Sequence, residues 1–307
     1  MQLEKSRDQF VKKGLGVVAI SYDSRQILQN FSSRMKIGFP LLSDEGSKMI
    51  RSFGILNTTV TPAALDDGVP YPGIFIVDAS GNVTAKYFEE KYQERFTPDT
   101  ILSKEFGLTA GTRVERRTDH LKMTTQLSQD KVRPGNRVSV VADIQMPPKM
   151  HIYAPGVRGY LPVALLLDKS SDIAVHEGKY PKARIMNLKA IKERVPIYEG
   201  RIRIERDFTV SPSIKTDRLE LKATLEYQAC DDQICYAPTR VPLAFSLEVE
   251  QLERQRVPEE LRRKPPEGFI RPNCCILGKI LWRYAIARFN AVLKLQSIQI
   301  GSPNLNG

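Results

Sequence analysis

The chain has 307 residues, a length for about two domains, and is 41% apolar and 26% charged. That composition excludes wholesale disorder, collagen-like sequence and a polytopic membrane protein, and no run reaches the ~18–20 apolar residues of a spanning helix. The net charge of +11 is uneven: residues 251–307 hold 10 Lys/Arg against 4 Asp/Glu, while residues 1–115 balance at 14 each. This distribution points to a basic tail rather than a nucleic-acid-binding body, so no nucleic-acid partner is expected.

MQLEKSRDQF at the start contains no apolar stretch of the kind a signal peptide requires. Residues 3–13 space Leu3, Phe10 and Val11 among charges, which predicts an amphipathic helix. GVVAISYD (16–23) predicts a short buried strand, and Asp23-Ser24 can cap a helix over 24–36. Phe39–Leu42 predicts a strand, with Ser43-Asp44 capping a helix near 45–53. Residues 57–73 are loop-like, with Pro62, Pro70 and Pro72. Ile74–Val77 and Val83–Phe88 form strands joined by a turn at 78–82. This alternation implies an α/β layer with parallel strands. After about residue 105 the texture changes to short alternating runs at 121–127, 137–144, 163–167, 201–210, 219–227 and 241–249, which predict an antiparallel β-sandwich. Residues 106–118 are expected to be a linker. Residues 251–307 form a basic extension whose first part is charged and Pro-rich.

GVVAISYDS (16–24), IGFPLLSDEGSKMIRSFGI (37–55) and YPGIFIVDASGNV (71–83) occur in an order and spacing that resemble the AhpC/TSA–redoxin branch of the thioredoxin-like superfamily. The resemblance implies an incomplete thioredoxin-like fold over 1–105. It also implies a strand and a reactive cysteine upstream of residues 3–13, so an N-terminally truncated chain is expected, with this half marginally stable by itself. A natural redoxin relic is the alternative. Residues 1–229 contain no cysteine, and a peroxidase of this class requires a thiolate. Peroxidase activity is therefore expected to be absent. Where peroxiredoxins commonly carry arginine, this chain has Pro72, which matches the thioredoxin-type proline that often follows a cis bond; a plain loop proline is the other reading.

YQACDDQICYAP (227–238) carries the sharpest motif. A hairpin can bring Cys230 and Cys235 within disulfide range, and no second ligand pair suits zinc. Asp231 and Asp232 disfavour a thiolate, and no His or Lys lies between 223 and 239, so the dithiol is expected to be a poor nucleophile that offers its disulfide to a partner's thiolate. With MHIYAPG (150–156) and VPIYEG (195–200), the motif resembles the N-terminal domain of the thiol:disulfide interchange protein DsbD over about 119–250. The resemblance implies an immunoglobulin-like sandwich, a redox-cycling Cys230–Cys235 pair, a thioredoxin-like redox protein or domain as partner, and a periplasmic or envelope location. Tyr153, Tyr198 and Tyr236 are candidate shields for the pair. The family's aromatic cap loop corresponds to about Ile185–Leu188, which has no aromatic, so shielding there is in doubt. His151 is read as a packing residue, and His120 and His176 as exposed.

Residues 273–296 combine apolar and basic positions as a membrane-surface helix does; packing on the sandwich or a poorly ordered extension are the bland readings. Membrane contact is expected only through this tail. The adjacent Cys274 and Cys275 are expected to be free thiols. The expected function is thiol–disulfide exchange through Cys230 and Cys235, with no cofactor and no metal. Its rivals are a non-enzymatic immunoglobulin-like module with a structural disulfide, and a peroxiredoxin-type antioxidant as the complete parent protein.

Overall fold

The computed structural model describes residues 2–59, 68–89, 91, 94–188 and 193–251. The amphipathic stretch at 273–296, Cys274, Cys275 and all of the basic extension beyond residue 251 lie outside the described residues.

The first half contains α1 (Gln2–Lys12), β1 (Ala19–Ser21), α2 (Arg25–Met35), β2 (Leu41–Ser43), α3 (Lys48–Ser52), β3 (Gly73–Val77), β4 (Val83–Phe88), β5 (Arg95–Phe96) and α4 (Pro98–Phe106). Local chemistry sets these boundaries. Ser24 caps α2 by accepting from the Ile27 amide, and the Asp44 carboxylate accepts from the amides of Met49 (3.0 Å) and Ile50 (2.8 Å) at the start of α3. Asp78 closes the β3–β4 turn by accepting from the Ser80 and Asn82 amides.

This half is thioredoxin-like but partial. β1 pairs in parallel with β2, and β3 pairs antiparallel with β4, as two separate two-stranded sheets. The strand expected over 16–23 shrinks to three residues and is not buried: Val18 is 55% exposed and Ile20 46%. The reason is geometric. A lone strand pair has no neighbouring strand to carry its apolar face into a larger core. The peptide bond before Pro72 is trans, like every described peptide bond, which corrects the cis expectation.

A helix that the sequence reading passed over, α4, joins the two halves. Its signals were present: Thr97 at the N-cap accepts from the Thr100 amide (3.1 Å), Pro98 opens the helix, and Gly107 ends it at a φ of +66°. One side of α4 puts Ile101 and Leu102 against Phe10 of α1, with Ile74, Ile76 and Tyr87 packed around them. The other side is polar. Thr100 Oγ1 meets Ser128 Oγ (2.9 Å) and donates to the Arg137 carbonyl (2.9 Å). Lys104, nearly buried, lies 3.4 Å from Glu205 and 3.0 Å from Asp207.

The second half is an antiparallel sandwich. Its strands are β6 (Arg113–Arg117), β7 (Lys122–Leu127), β8 (Lys131–Val132), β9 (Asn136–Gln145), β10 (His151–Tyr153), β11 (Ala164–Leu167), β12 (Ile173–Lys179), β13 (Arg184–Leu188), β14 (Glu193–Glu199), β15 (Arg201–Val210), β16 (Arg218–Tyr227), β17 (Ala229–Cys230) and β18 (Thr239–Val249). The main sheet runs β12-β15-β9-β7-β6, and β5 from the first half pairs in parallel with the start of β9. A second sheet runs β11-β16-β18-β8, and a third β13-β14-β10-β17. Residues 113–117, expected as linker, are thus an edge strand paired with β7.

β16 and β18 bury alternate residues, as strands with one wet face do. β9 is buried on both faces. Val138, Val140, Ala142 and Ile144 enter the sandwich core with Ile204, Phe208, Leu221 and Phe245, while Ser139 and Val141, on the opposite face, are also fully buried. Ser139 Oγ donates to Asp207 (2.6 Å), the same carboxylate that meets Lys104. Removing one member of such a buried charge cluster leaves the others uncompensated. Lys104→Ala is therefore expected to lower stability by roughly 3–5 kcal/mol, read from the urea midpoint of the full chain. An unchanged midpoint would show that α4 does not depend on this cluster.

Candidate functional site

The site is built on the β13-β14-β10-β17 sheet. The chain leaves β17 at Cys230, turns through Asp231–Ile234 and returns at Cys235. The Asp231 amide donates to the Ile234 carbonyl (3.0 Å) and the Tyr236 amide to the Ala229 carbonyl (2.8 Å). Between those two hydrogen bonds Cys230 and Cys235 face each other as a bridge pair without hydrogen bonds of its own, where antiparallel Cα atoms come closest. Their Cα atoms are 4.0 Å apart and the sulfurs are joined.

Asp231 makes this turn. Its carboxylate accepts from the amides of Gln233 (2.7 Å) and Ile234 (2.8 Å) and from Tyr236 Oη (2.7 Å). The backbone bond to Ile234, then the Tyr236 hydroxyl, hold its pKa down to about 2. The aspartate that the sequence reading set against the thiol is therefore occupied in the turn. Asp232 is exposed and lies 3.8 Å from Lys149.

The two sulfurs have unequal surroundings. Cys230 is 1% exposed and packs with Tyr153, Val195 and Ile197 in a small core of its own, bordered by Val157, Tyr160 and Met186. Cys235 is exposed. Tyr153 Oη lies 3.3 Å from the Sγ of each cysteine. Disulfide sulfurs carry no proton, so the hydroxyl is the donor. Burial and the neighbouring Tyr160 push the Tyr153 pKa up to about 12, which keeps that proton in place at neutral pH.

Strand alternation decides which candidate residues reach the pair. Cys230 pairs with His151, and Tyr153 with Ile197, on one face. Ile152, Tyr198 and Ala229 point to the other, into the main core. Tyr198 therefore stands away from the disulfide, and its hydroxyl donates to the Pro181 carbonyl (2.8 Å). Tyr153 lies directly on the pair. Tyr236 braces the turn through Asp231 and packs its ring on His120 at 4.4 Å. His120 and His176, expected as exposed, are both partly buried; His176 Nε2 is 2.8 Å from Thr209 Oγ1. His151 is 3% exposed, its Nε2 has no hydrogen-bond partner among the described residues, and its ring meets Tyr153 edge-on at 5.8 Å.

Two residues escaped the sequence reading. Tyr160 stacks on Tyr153 with ring centroids 4.3 Å apart, supplying an aromatic cover from a loop that no periodic signal marks. Gln228 accepts from the Leu161 amide (3.1 Å) and donates to the Tyr236 carbonyl (3.2 Å), tying that loop to the cysteine hairpin. On β13, Met186 rather than an aromatic faces the small core. A concavity of about 690 Å³ lies elsewhere, on the outer face of the main sheet, and is lined by Arg113, Arg116, Arg117, Lys122, Arg201 and Arg203 among others.

The chain thus joins a thioredoxin-like layer to a sandwich that bears a turn-closing disulfide. Residues 1–86 match the AhpC/TSA family, and residues 119–245 match the family described as thiol:disulfide interchange protein DsbD, N-terminal. Chloroplastic peroxiredoxin Q of Sedum lineare is 31% identical over 96 residues, which are 31% of this chain and 48% of that protein. The chain thus spans less than half the length of that relative. Among solved structures, the N-terminal periplasmic domain of ScsB from Proteus mirabilis aligns at 16% identity and a TM-score of 0.32, over 45% of this chain and 50% of that one. The reduced DsbD N-terminal domain of Neisseria meningitidis aligns at 14% identity and a TM-score of 0.26, over 36% of this chain and 78% of that one. Among the described residues no helix is long and apolar enough to cross a membrane.

Asp231 is the residue on which the turn rests. Its folded pKa is depressed, so its stabilisation is full above the unfolded carboxyl value of ~3.9 and is lost as pH falls through about 2. The Tm difference between the full chain and its Asp231→Ala variant is expected to be largest at neutral pH and to close between those two values, as followed by circular dichroism.

Proposed function

We propose that the chain carries out thiol–disulfide exchange at Cys230–Cys235, relaying electrons between a thioredoxin-like dithiol protein or domain and a further thiol protein. The observation that carries this reading is the asymmetry of the pair, with Cys235 exposed and Cys230 buried against the Tyr153 hydroxyl. A partner thiolate attacks Cys235 Sγ, a partner–Cys235 bond forms, and the bond to Cys230 breaks. The electron pair goes to Cys230 Sγ, where the Tyr153 hydroxyl donates to the new thiolate. The partner's second thiolate then attacks its own sulfur in the mixed disulfide and releases Cys235, which takes a proton from water. Two electrons have then moved from the partner to this chain; the partner's thiol protons have gone to water, and one proton has come from water to Cys235. Run in reverse, the same steps pass the electrons on.

Residues 1–105 serve in this reading as a redoxin-type segment without a thiolate of its own, and 119–250 as the exchange domain. Tyr153 and Tyr160 shield the pair, and Tyr236 acts through the turn. The working location is the periplasm or cell envelope, where disulfides persist.

Single-cysteine trapping tests the proposal. A thioredoxin that lacks its resolving cysteine and carries its remaining cysteine as a thionitrobenzoate mixed disulfide is expected to form a mixed disulfide with Cys235 of Cys230→Ser, releasing thionitrobenzoate, and to form far less with Cys235→Ser. Tyr153→Phe keeps the ring but removes the donor to a charged sulfur, and is expected to slow reduction by about tenfold or more. Equal trapping by both variants, or a potential below about −300 mV with no exchange, would instead mark a structural bridge in an immunoglobulin-like module.

A further inference from the structure

We propose that Cys230, His151 and Glu199 form a proton-accepting row across three neighbouring strands, in which the His151 imidazole is protonated and pairs with the Cys230 thiolate once the disulfide is reduced. This deepens the exchange reading and rests on it.

Register supports the row. On β10, His151 is paired with Cys230 of β17 on one side and with Glu199 of β14 on the other. Side chains directly opposite in antiparallel strands share a face, with Cβ atoms about 4.5–5.5 Å apart. The three residues therefore stand in line on the face that carries Tyr153 and the small core. Local spacing carries no sign of this row, since 79 positions separate His151 from Cys230.

Burial supports it as well. His151 Nε2 is buried with no hydrogen-bond partner among the described residues, an unfavourable arrangement in a folded protein. In the disulfide state burial holds the imidazole below its usual pKa, against the pull of Glu199, Asp232 and Asp231. The neutral ring thus fits beside a neutral disulfide. Reduction changes its neighbour. A thiolate beside the ring, in surroundings of low dielectric, favours the imidazolium and is favoured by it.

The other charges around the ring have different tasks. Asp231 is engaged by two amides and Tyr236, Asp232 faces water near Lys149, and Glu199 is paired with Arg184 of β13 while lying beside His151 in the register. Tyr153, on the same strand, offers its hydroxyl to both sulfurs. The oxidised site, two electrons from a partner dithiol and two protons give the Cys235 thiol, the Cys230 thiolate and the His151 imidazolium, so the balance closes. In the outward direction the Cys230 thiolate is then a competent nucleophile toward Cys235 in the mixed disulfide and so releases the partner, contrary to the expectation drawn from Asp231 and Asp232 alone.

The chain has three histidines, so their ring resonances can be followed individually by NMR in the full chain. The protein is titrated as the disulfide and again after reduction with a phosphine, which requires no protein partner. The His151 resonance is expected to titrate at least about one pH unit higher in the reduced state, with His120 and His176 moving far less. Thiolate absorbance of the reduced chain is expected to appear well below the usual thiol value of ~8.5 and to return toward it in His151→Asn. A His151 resonance that titrates alike in both states overturns the row, and that result stands even where the variant fails to fold. Normal exchange kinetics with no such shift would remove the row and leave the relay. A shift without exchange would support the row and remove the relay.

Discussion

The structure around the disulfide depends on one constraint: two cysteines held opposite each other at the non-hydrogen-bonded position of a very short hairpin. The backbone bonds on either side, Asp231 to Ile234 and Tyr236 to Ala229, set that position, and the Asp231 carboxylate holds the turn that makes them possible. So short a covalent loop removes little entropy from the unfolded chain, so its stabilising value is small. The bridge instead fixes which sulfur faces outward. Cys235 is presented to solvent, and Cys230 is kept under tyrosine and aliphatic side chains. The disulfide thus has one accessible sulfur and one sheltered sulfur, the asymmetry on which the proposed exchange rests.

The strand alternation that places Tyr153 and His151 beside Cys230 also assigns Ile152, Tyr198 and Ala229 to the main core. The third sheet therefore works on both faces. One face is bonded into the sandwich through bulky apolar contacts, and the other carries Cys230, His151 and Tyr153. Because the supporting face is closely packed, the polar groups opposite are held in place. The loop bearing Tyr160 is tied in by Gln228, so even the irregular part of the site is anchored to the hairpin it covers.

The two halves are joined by more than chain connectivity. β5 extends the ladder at the start of β9, and α4 turns an apolar side to α1, β3 and β4 and a threonine-rich, lysine-bearing side to β9 and β15. That second cover explains why β9 is buried on both faces, unlike β16 and β18. The strand pairs β1–β2 and β3–β4 gain no comparable partner from the sandwich, and Leu42, Val77 and Val83 remain exposed on them.

Much of this was legible in the amino-acid order. Turn and cap chemistry at Ser24, Asp44 and Asp78 is local, and the alternating runs of β16 and β18 declare a half-buried strand, so those elements could be read directly. So could the likeness of the cysteine motif to a redox family and the closeness of Cys230 to Cys235, because a short hairpin brings them together whatever surrounds it. The helix α4 was equally written in Thr97, Pro98 and Gly107 and was passed over beside the stronger strand pattern. What the chain could not disclose by itself was everything set by register between distant segments: Tyr198 turned away, Tyr160 stacked on Tyr153, and His151 aligned between Cys230 and Glu199. Local spacing determines which face of its own strand a side chain takes, but only the pairing of strands far apart in sequence decides which other side chains share that face.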